Sequence, residues 1–311
     1  MIVTVTPNPA LDLTWHVAQI THGGTHRADT GVARAGGKGL NVARVAHAQG
    51  AEVIAVTTVG GPTGGEFAVE LNDSGVPNRL VPVTASTRRS IALVDEALGD
   101  TTVVNERGIN PDADEWRALH EAVAETARGA RVLVISGSMP PGAPADMLPR
   151  LIRTGREAGA HVIADTSGPA LLRAADAGAS VLKPNQAELT EATGFADPIA
   201  GARELLRRGA GLVLLSRGAD GMLAISADGP IVHATPPRAL AGNPTGAGDA
   251  AVAACAVLMD AGIHDPAELL RRATAWSAAA VLMPLAGEIH PSWRELERDL
   301  TLTISDPKES S

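Results

Sequence analysis

Short aliphatic runs punctuate the chain at Ile2–Thr6, Val53–Val59, Val132–Ser136, His161–Asp165, Ala179–Lys183 and Leu212–Ser216. They alternate little between apolar and polar, which predicts strands buried on both faces of a parallel sheet. Between them the apolar period lengthens to that of a helix, over Lys38–Gln49, Gly64–Asp73, Asp112–Arg128, Ala143–Ala158 and Ala200–Arg208. The run from Ala250 to Met259 carries no charge and predicts a helix buried all round, with a second long helix at Ala267–Leu282. Strand and helix in alternation mean an α/β layered fold, and no repeat or long linker divides residues 1–311.

Two stretches break this rhythm. Leu11–Val17 alternates apolar and polar, as do Ile91–Asp95 and Thr101–Asn105, whose connection holds the turn pair Gly99-Asp100. They predict a small half-exposed sheet, roughly residues 11–34 and 86–108, projecting as a lid or a dimerisation surface. From about Ser305 the chain reads as a frayed tail.

Composition narrows the classes. A hydrophobic share of 45% excludes wholesale disorder, and the net charge of −9 argues against a nucleic-acid partner. Small phosphorylated ligands stay possible, since they need only a local basic cluster. The single cysteine, Cys255, falls inside the apolar helix and reads as a small core residue. The opening MIVTVTPNPALD lacks the basic start and apolar core of a signal peptide, and no apolar run is long enough to span a bilayer. A soluble, cytoplasmic protein is the expectation.

Candidate chemistry gathers where the strands end. Ser136–Gly142, Asp165–Gly168, Lys183–Glu188 and Ser216–Gly221 are polar, flexible segments directly after strands. In doubly wound sheets ligands bind beyond those carboxyl ends, so together the segments predict a cleft. Gly246-Ala247-Gly248-Asp249 opens the buried helix, where exposed amides and the helix dipole favour an anion. Asp249 there is either a simple helix cap or a base. Gly246–Ala251 also satisfies a dinucleotide fingerprint, but Pro236-Pro237 and a loop precede it and a helix follows, which argues against hydride-transfer chemistry and leaves a dehydrogenase a distant third reading. Gly36-Gly37-Lys38-Gly39 fails the phosphate-loop pattern. What survives is a glycine turn offering Lys38 and Asn41 to hydroxyl or phosphate oxygens, or a merely solvated lysine. An aspartate beside an anion-binding turn suits phosphoryl transfer, with amides stabilising the moving group and Asp249 taking the proton.

Five blocks in order, Thr6–Asp12, Gly36–Ala43, Ser136–Gly142, Lys183–Leu189 and Asn243–Asp249, resemble the PfkB branch of the ribokinase-like carbohydrate kinases. The resemblance runs nearly end to end and is strongest to the 1-phosphofructokinase and tagatose-6-phosphate kinase subgroup. It implies a three-layer αβα sandwich with a mainly parallel central sheet and a small projecting β lid. Asp249 would be the catalytic base, and Gly246, Ala247 and Gly248 the anion hole. Asp12, Gly37, Lys38, Asn41 and Ser138 would bind the sugar, while Arg88 would grip its existing phosphate through paired hydrogen bonds. Lys183, Asn185, Ser216, Gly218, Gly221 and Thr245 would line the ATP site, with Asn185 and Glu188 holding Mg2+. A homodimer through the lid is also implied.

The activity so implied is ATP-dependent phosphorylation of a ketohexose phosphate, foremost fructose 1-phosphate to fructose 1,6-bisphosphate. Its rivals are tagatose-6-phosphate kinase, 6-phosphofructokinase and then another sugar or nucleoside kinase. A non-catalytic sugar-phosphate sensor is the alternative of another class, against which Asp249 and Glu188 both argue. The chain departs from the subgroup at Ser90 (usually Asn), at Thr25 (often Lys), in Asn105–Gly108, which lacks an aromatic and a proline, and at Pro244-Thr245 (typically Thr-Val).

Overall fold

The computed structural model describes residues 1–237, 240 and 242–305. The chain opens with β1 (Ile2–Thr6), β2 (Ala10–Val17), β3 (Val32–Gly36), α1 (Lys38–Ala48), β4 (Val53–Val59), α2 (Gly61–Asp73) and β5 (Asn78–Pro82). It continues through β6 (Arg88–Asp95), β7 (Asp100–Asn105), α3 (Ala113–Thr126), β8 (Val132–Ser136), α4 (Met147–Glu157), β9 (His161–Asp165) and α5 (Pro169–Asp176). Next come β10 (Val181–Leu182), α6 (Gln186–Thr193), α7 (Pro198–Arg208), β11 (Leu212–Ser216), β12 (Met222–Ser226) and β13 (Ile231–Thr235). The last elements are α8 (Ala247–Asp260), α9 (Pro266–Val281), α10 (Trp293–Asp299) and β14 (Thr301–Ser305).

Ten strands form the main sheet in the order β14-β13-β12-β11-β10-β9-β8-β1-β4-β5. From β5 to β11 every pairing is parallel, while β12, β13 and β14 add an antiparallel edge. Successive residues of one strand serve opposite cores, which is why the strands read as unbroken apolar runs. Ile2, Val132 and Val134 pack with α1, α2, α8 and α9, whereas Val3, Val5, Leu133 and Ile135 pack with α3, α4, α5 and α7. The result is three layers, helix on sheet on helix. Helix α8 lies between α1 and α9, and Ala250, Ala251, Ala253, Ala254 and Ala256 keep its flanks small enough for close approach. Cys255 is buried in the same helix.

A second sheet, β3-β2-β6-β7, stands apart from the first. Pro7 and Pro9 separate β1 from β2, and neither can donate to a ladder, so the strand breaks there and changes sheet. β2 pairs in parallel with β6 and antiparallel with β3, bringing Asp12 opposite both Ser90 and Arg34. Val32, Val103 and Val104 of this sheet are exposed.

Several expected boundaries move. The strand expected at Ala179–Lys183 shortens to Val181–Leu182, because Lys183 turns into the site. α2 starts three residues early, with Gly60 at its cap and Pro62 in its first turn, and α4 starts late, after the turns at Pro140–Pro144. Ser305 belongs to β14, and the rest of the expected tail lies outside the described residues. Among the described residues no helix is long and apolar enough to cross a membrane.

Candidate active site

Two adjoining clefts open at the carboxyl ends of the parallel strands, one of about 820 Å3 and one of about 540 Å3. Asn185, Ser216 and Gly248 line both.

The larger cleft is floored by the turn from β3 into α1. Gly37 caps α1 with φ 116°, and a Cβ there would sit 2.6 Å from Thr6 Cγ2, so only glycine fits. The turn delivers Lys38 and, one helical turn on, Asn41. Asn41 Nδ2 donates to Asp249 Oδ2 at 2.8 Å. Asp249 is the third residue of α8, whose cap position is Gly246 with φ 86° and no side-chain cap bond. The reading of Asp249 as a helix cap is therefore overturned; its carboxylate faces Asn41 instead. Burial, reinforced by the Asp165 charge, pushes Asp249 up to about 7 against the pull of Lys38, Asn41 and Lys183. Ala247 N–H already donates to the Pro244 carbonyl at 3.2 Å, and it is Gly246 and Gly248 of the turn that line the larger cleft.

A buried ion cluster lies beneath. Asp165, at the end of β9 and 1% exposed, receives Lys38 Nζ at 3.2 Å and Ser136 Oγ at 3.2 Å on Oδ2. Lys183 Nζ stands 3.5 Å from its other oxygen. Burial pushes the Asp165 carboxyl up, but Lys183 and Lys38 outweigh it and hold the group below its ordinary range. Burial likewise pulls on the Lys38 ammonium, and Asp165, Asp249 and Glu188 more than offset that, raising it above its usual value.

Asp12 enters from the second sheet. Burial raises it to about 6 against Arg88, Arg34, a hydrogen bond from Ser90, and Arg44. Ser90, the departure noted in the sequence, thus serves as a donor to Asp12. Arg88 is fixed by its Nε and Nη2 on the Asn8 carbonyl, at 3.3 and 3.2 Å, and by Nη1 on the Glu106 carbonyl at 3.1 Å. These bonds orient the guanidinium into the larger cleft, whose wall also holds Ser138, within 3.4 Å of Asn8 Nδ2.

The smaller cleft is lined by Gly218, Gly221 and Ala247 together with the apolar Met222, Pro236, Leu240, Ala278 and Val281. An apolar slot with a few polar groups suits a flat heteroaromatic ring. Asn185 and Glu188 form a capping box at the start of α6: Glu188 N–H donates to Asn185 Oδ1 at 2.8 Å, and Asn185 N–H donates to Glu188 Oε2 at 2.9 Å. Among the described residues no group of three or more His, Cys, Asp or Glu side chains could cage a metal.

Every residue given a catalytic, sugar, nucleotide or metal role in the sequence lines one of these clefts. Lys183 and Thr245, assigned to the nucleotide, line the larger cleft rather than the smaller. Asp165 and Asn8 fall within segments that the sequence pointed to, Asp165–Gly168 and Thr6–Asp12, but neither was given a role of its own. The available signal for Asp165 was its place at the end of an apolar strand, level with the other site segments.

A family model described as pfkB family carbohydrate kinase matches residues 6–293. A 1-phosphofructokinase of Xanthomonas campestris pv. campestris is 34% identical over 287 residues, covering 88% of this chain and 89% of the relative. An ATP-dependent 6-phosphofructokinase isozyme 2 of Mycobacterium tuberculosis is 35% identical over 296 residues, covering 91% and 84%. The crystal structure of phosphofructokinase-2 from Escherichia coli in complex with fructose-6-phosphate superposes with TM-score 0.86 at 31% identity, covering 96% of this chain and 98% of that one.

Proposed function

Because the chain belongs to the pfkB family of carbohydrate kinases, we propose that it transfers the γ-phosphoryl group of ATP to a ketohexose phosphate, foremost fructose 1-phosphate. The observation that carries this reading is the position of Asp249. Its carboxylate lies in the wall of the larger cleft, next to Gly248, which faces both clefts. An acceptor in the larger cleft and a nucleotide in the smaller one would meet there.

In the reaction so read, the C6 hydroxyl of fructose 1-phosphate gives its proton to the Asp249 carboxylate as its oxygen forms a bond to the γ-phosphorus. The bond from that phosphorus to the β,γ-bridging oxygen breaks, and ADP and fructose 1,6-bisphosphate result. A carboxyl raised to about 7 is well matched to a proton transfer at neutral pH. The uncapped first turn of α8 and the Lys38 ammonium supply positive charge where the phosphoryl group passes. Asp12 holds the ketose hydroxyls and Arg88 the existing phosphate. Magnesium, when bound, offsets charge on the nucleotide phosphates. Asn185 at the cleft junction and Glu188 in the larger cleft would hold it through water and phosphate oxygens, the manner usual for that ion, rather than in a protein cage.

Relatives of both phosphofructokinase types match at similar identity, so the second reading is transfer to fructose 6-phosphate. Exposed Val32, Val103 and Val104 support a homodimer built on the second sheet, with that sheet acting as a lid. The test is ADP release from Mg·ATP with fructose 1-phosphate, fructose 6-phosphate, tagatose 6-phosphate, fructose, tagatose and adenosine. Strong preference for one phosphosugar fixes the acceptor and supports the role of Arg88. Activity on unphosphorylated acceptors alone overturns that role, and silence with all of them favours a sugar-phosphate sensor.

A further inference from the structure

The segment between α9 and α10 has no regular structure, yet it backs the first turn of α8. A Cβ built on Gly246 would meet Ala286 Cβ at 2.8 Å and Gly287 N at 3.3 Å. On its other side, Gly287 presses against Arg44 Cδ and Asn41 Oδ1, at 3.2 and 3.3 Å from the position of a Cβ. Asn41 is the residue that holds Asp249. The segment is therefore wedged between the anion-binding turn and the partner of the candidate base.

Its ends are tied down by one side-chain and one main-chain hydrogen bond. Asn243 Nδ2 donates to the Pro284 carbonyl at 3.0 Å, and His290 N–H donates to the Ala279 carbonyl at 3.2 Å. Its middle is tied to the second sheet: Glu288 Oε1 lies 3.0 Å from Arg34 Nη1, with side-chain exposures of 37% and 16%. Arg34 sits on β3 directly opposite Asp12. The next residue of that strand, Ala35, is held by Glu70 Oε2, which accepts its N–H at 2.7 Å and also takes Arg44 Nη2 at 2.6 Å. One continuous run of contacts thus joins Asp12, Arg34, Glu288, Ala286-Gly287, Asn41 and Asp249.

We propose that Arg34 and Glu288 are a positioning pair, tying the sheet that carries Asp12 to the segment that aligns the α8 turn and Asn41. The inference rests on the kinase reading above. Neither residue touches the reacting atoms; both act through what they hold. An isolated, partly exposed ion pair contributes little to stability, so its effect belongs in turnover, where small misplacements are amplified.

The test is a double-mutant cycle of Glu288→Ala, Arg34→Gln and the combined variant, with hydrogen exchange as a readout independent of activity. Glu288→Ala should lower kcat about tenfold while leaving the acceptor KM within about threefold. Arg34→Gln should lower kcat similarly and also raise the acceptor KM, since it faces Asp12. The combined variant should lose no more turnover than the worse single, because a broken pair cannot break twice. Amide exchange should rise by about tenfold at residues 32–36 and 283–289 in both singles. Additive losses in kcat, exchange unchanged at those segments, or a lower Tm with kcat intact each overturn the proposal. A parent silent on every acceptor defeats the kinase reading, and the exchange measurement then decides the pair alone.

Discussion

In Asp249→Asn the side chain keeps its size and an oxygen to accept from Asn41 Nδ2, but it sheds a charge held at 5% exposure. The parent carboxyl stands at about 7, against an ordinary 3.8. Each pH unit of such a difference amounts to about 1.4 kcal/mol, so burying the ionised form costs at most about 4 kcal/mol. The sign follows from which state holds the proton. Above about pH 4 the unfolded carboxyl is ionised while the folded one stays protonated, so the native state loses stability as pH rises, and the loss is complete above about 7. Asn does not titrate. The variant should therefore match the parent near pH 4, exceed it by about 1–2 kcal/mol at pH 5, and exceed it by up to about 4 kcal/mol at pH 8. That figure already includes the pull of Lys38 and Lys183 on the ionised carboxylate. For a chain this long about 2 °C of Tm accompanies each kcal/mol, so thermal unfolding at pH 5 and pH 8 resolves the two cases. Over the same change turnover should drop by about 10² to 10⁴. A variant less stable than the parent at pH 8, or an equal difference at both pH values, refutes the electrostatic argument. Residual turnover within tenfold of the parent refutes the role as base.

Further outcomes can be checked singly. The acid limb of kcat/KM should bend near pH 7 and fall about tenfold per unit below it, as Asp249 gains its proton; a flat profile down to pH 5 contradicts this. Asp165→Asn strands Lys183, whose side chain is 6% exposed, in the interior and should destabilise by about 3–5 kcal/mol, read by urea unfolding. The same change removes a charge that raises Asp249, so the acid limb should move to lower pH. Arg88→Lys should raise the KM for a phosphosugar at least about tenfold while sparing free sugars, because the forked contact is lost. Cys255, 1% exposed and with its thiol pushed up to about 12 by burial, should resist alkylation in the native protein and react fully once unfolded.

The parallel strands were legible because both their faces are buried, which removes polar residues from runs such as Val132–Ile135. Edge elements were not. β5 carries Asn78, Arg79 and Pro82, and β12 to β14 are five-residue strands whose pairing partners lie far along the chain or across a hairpin. The eight-residue helices α5 and α6 are too short to show a period. In the site, spacing located single residues such as Lys38 and Asp249 but not the contacts between them. Nothing local to Asp165 announces that Lys38 and Lys183 converge on it from 127 and 18 residues away. The Asn185-Gln186-Ala187-Glu188 pattern illustrates a different difficulty, since the two residues that the family resemblance assigns to magnesium are also those of a capping box.

The two clefts have separate walls except at Asn185, Ser216 and Gly248. A compound bearing an adenosine-like group for the apolar slot and a phosphosugar-like group for the Asp12 and Arg88 side would need only a short linker past Gly248. Once one half is docked, the other is confined at a high local concentration, so affinity should far exceed that of either fragment. The nucleotide half of such an inhibitor is shared with many ATP-using proteins, whereas the sugar half meets Ser90, Arg107 and Ser138 of this chain. Selectivity would be written almost entirely on that side of the junction.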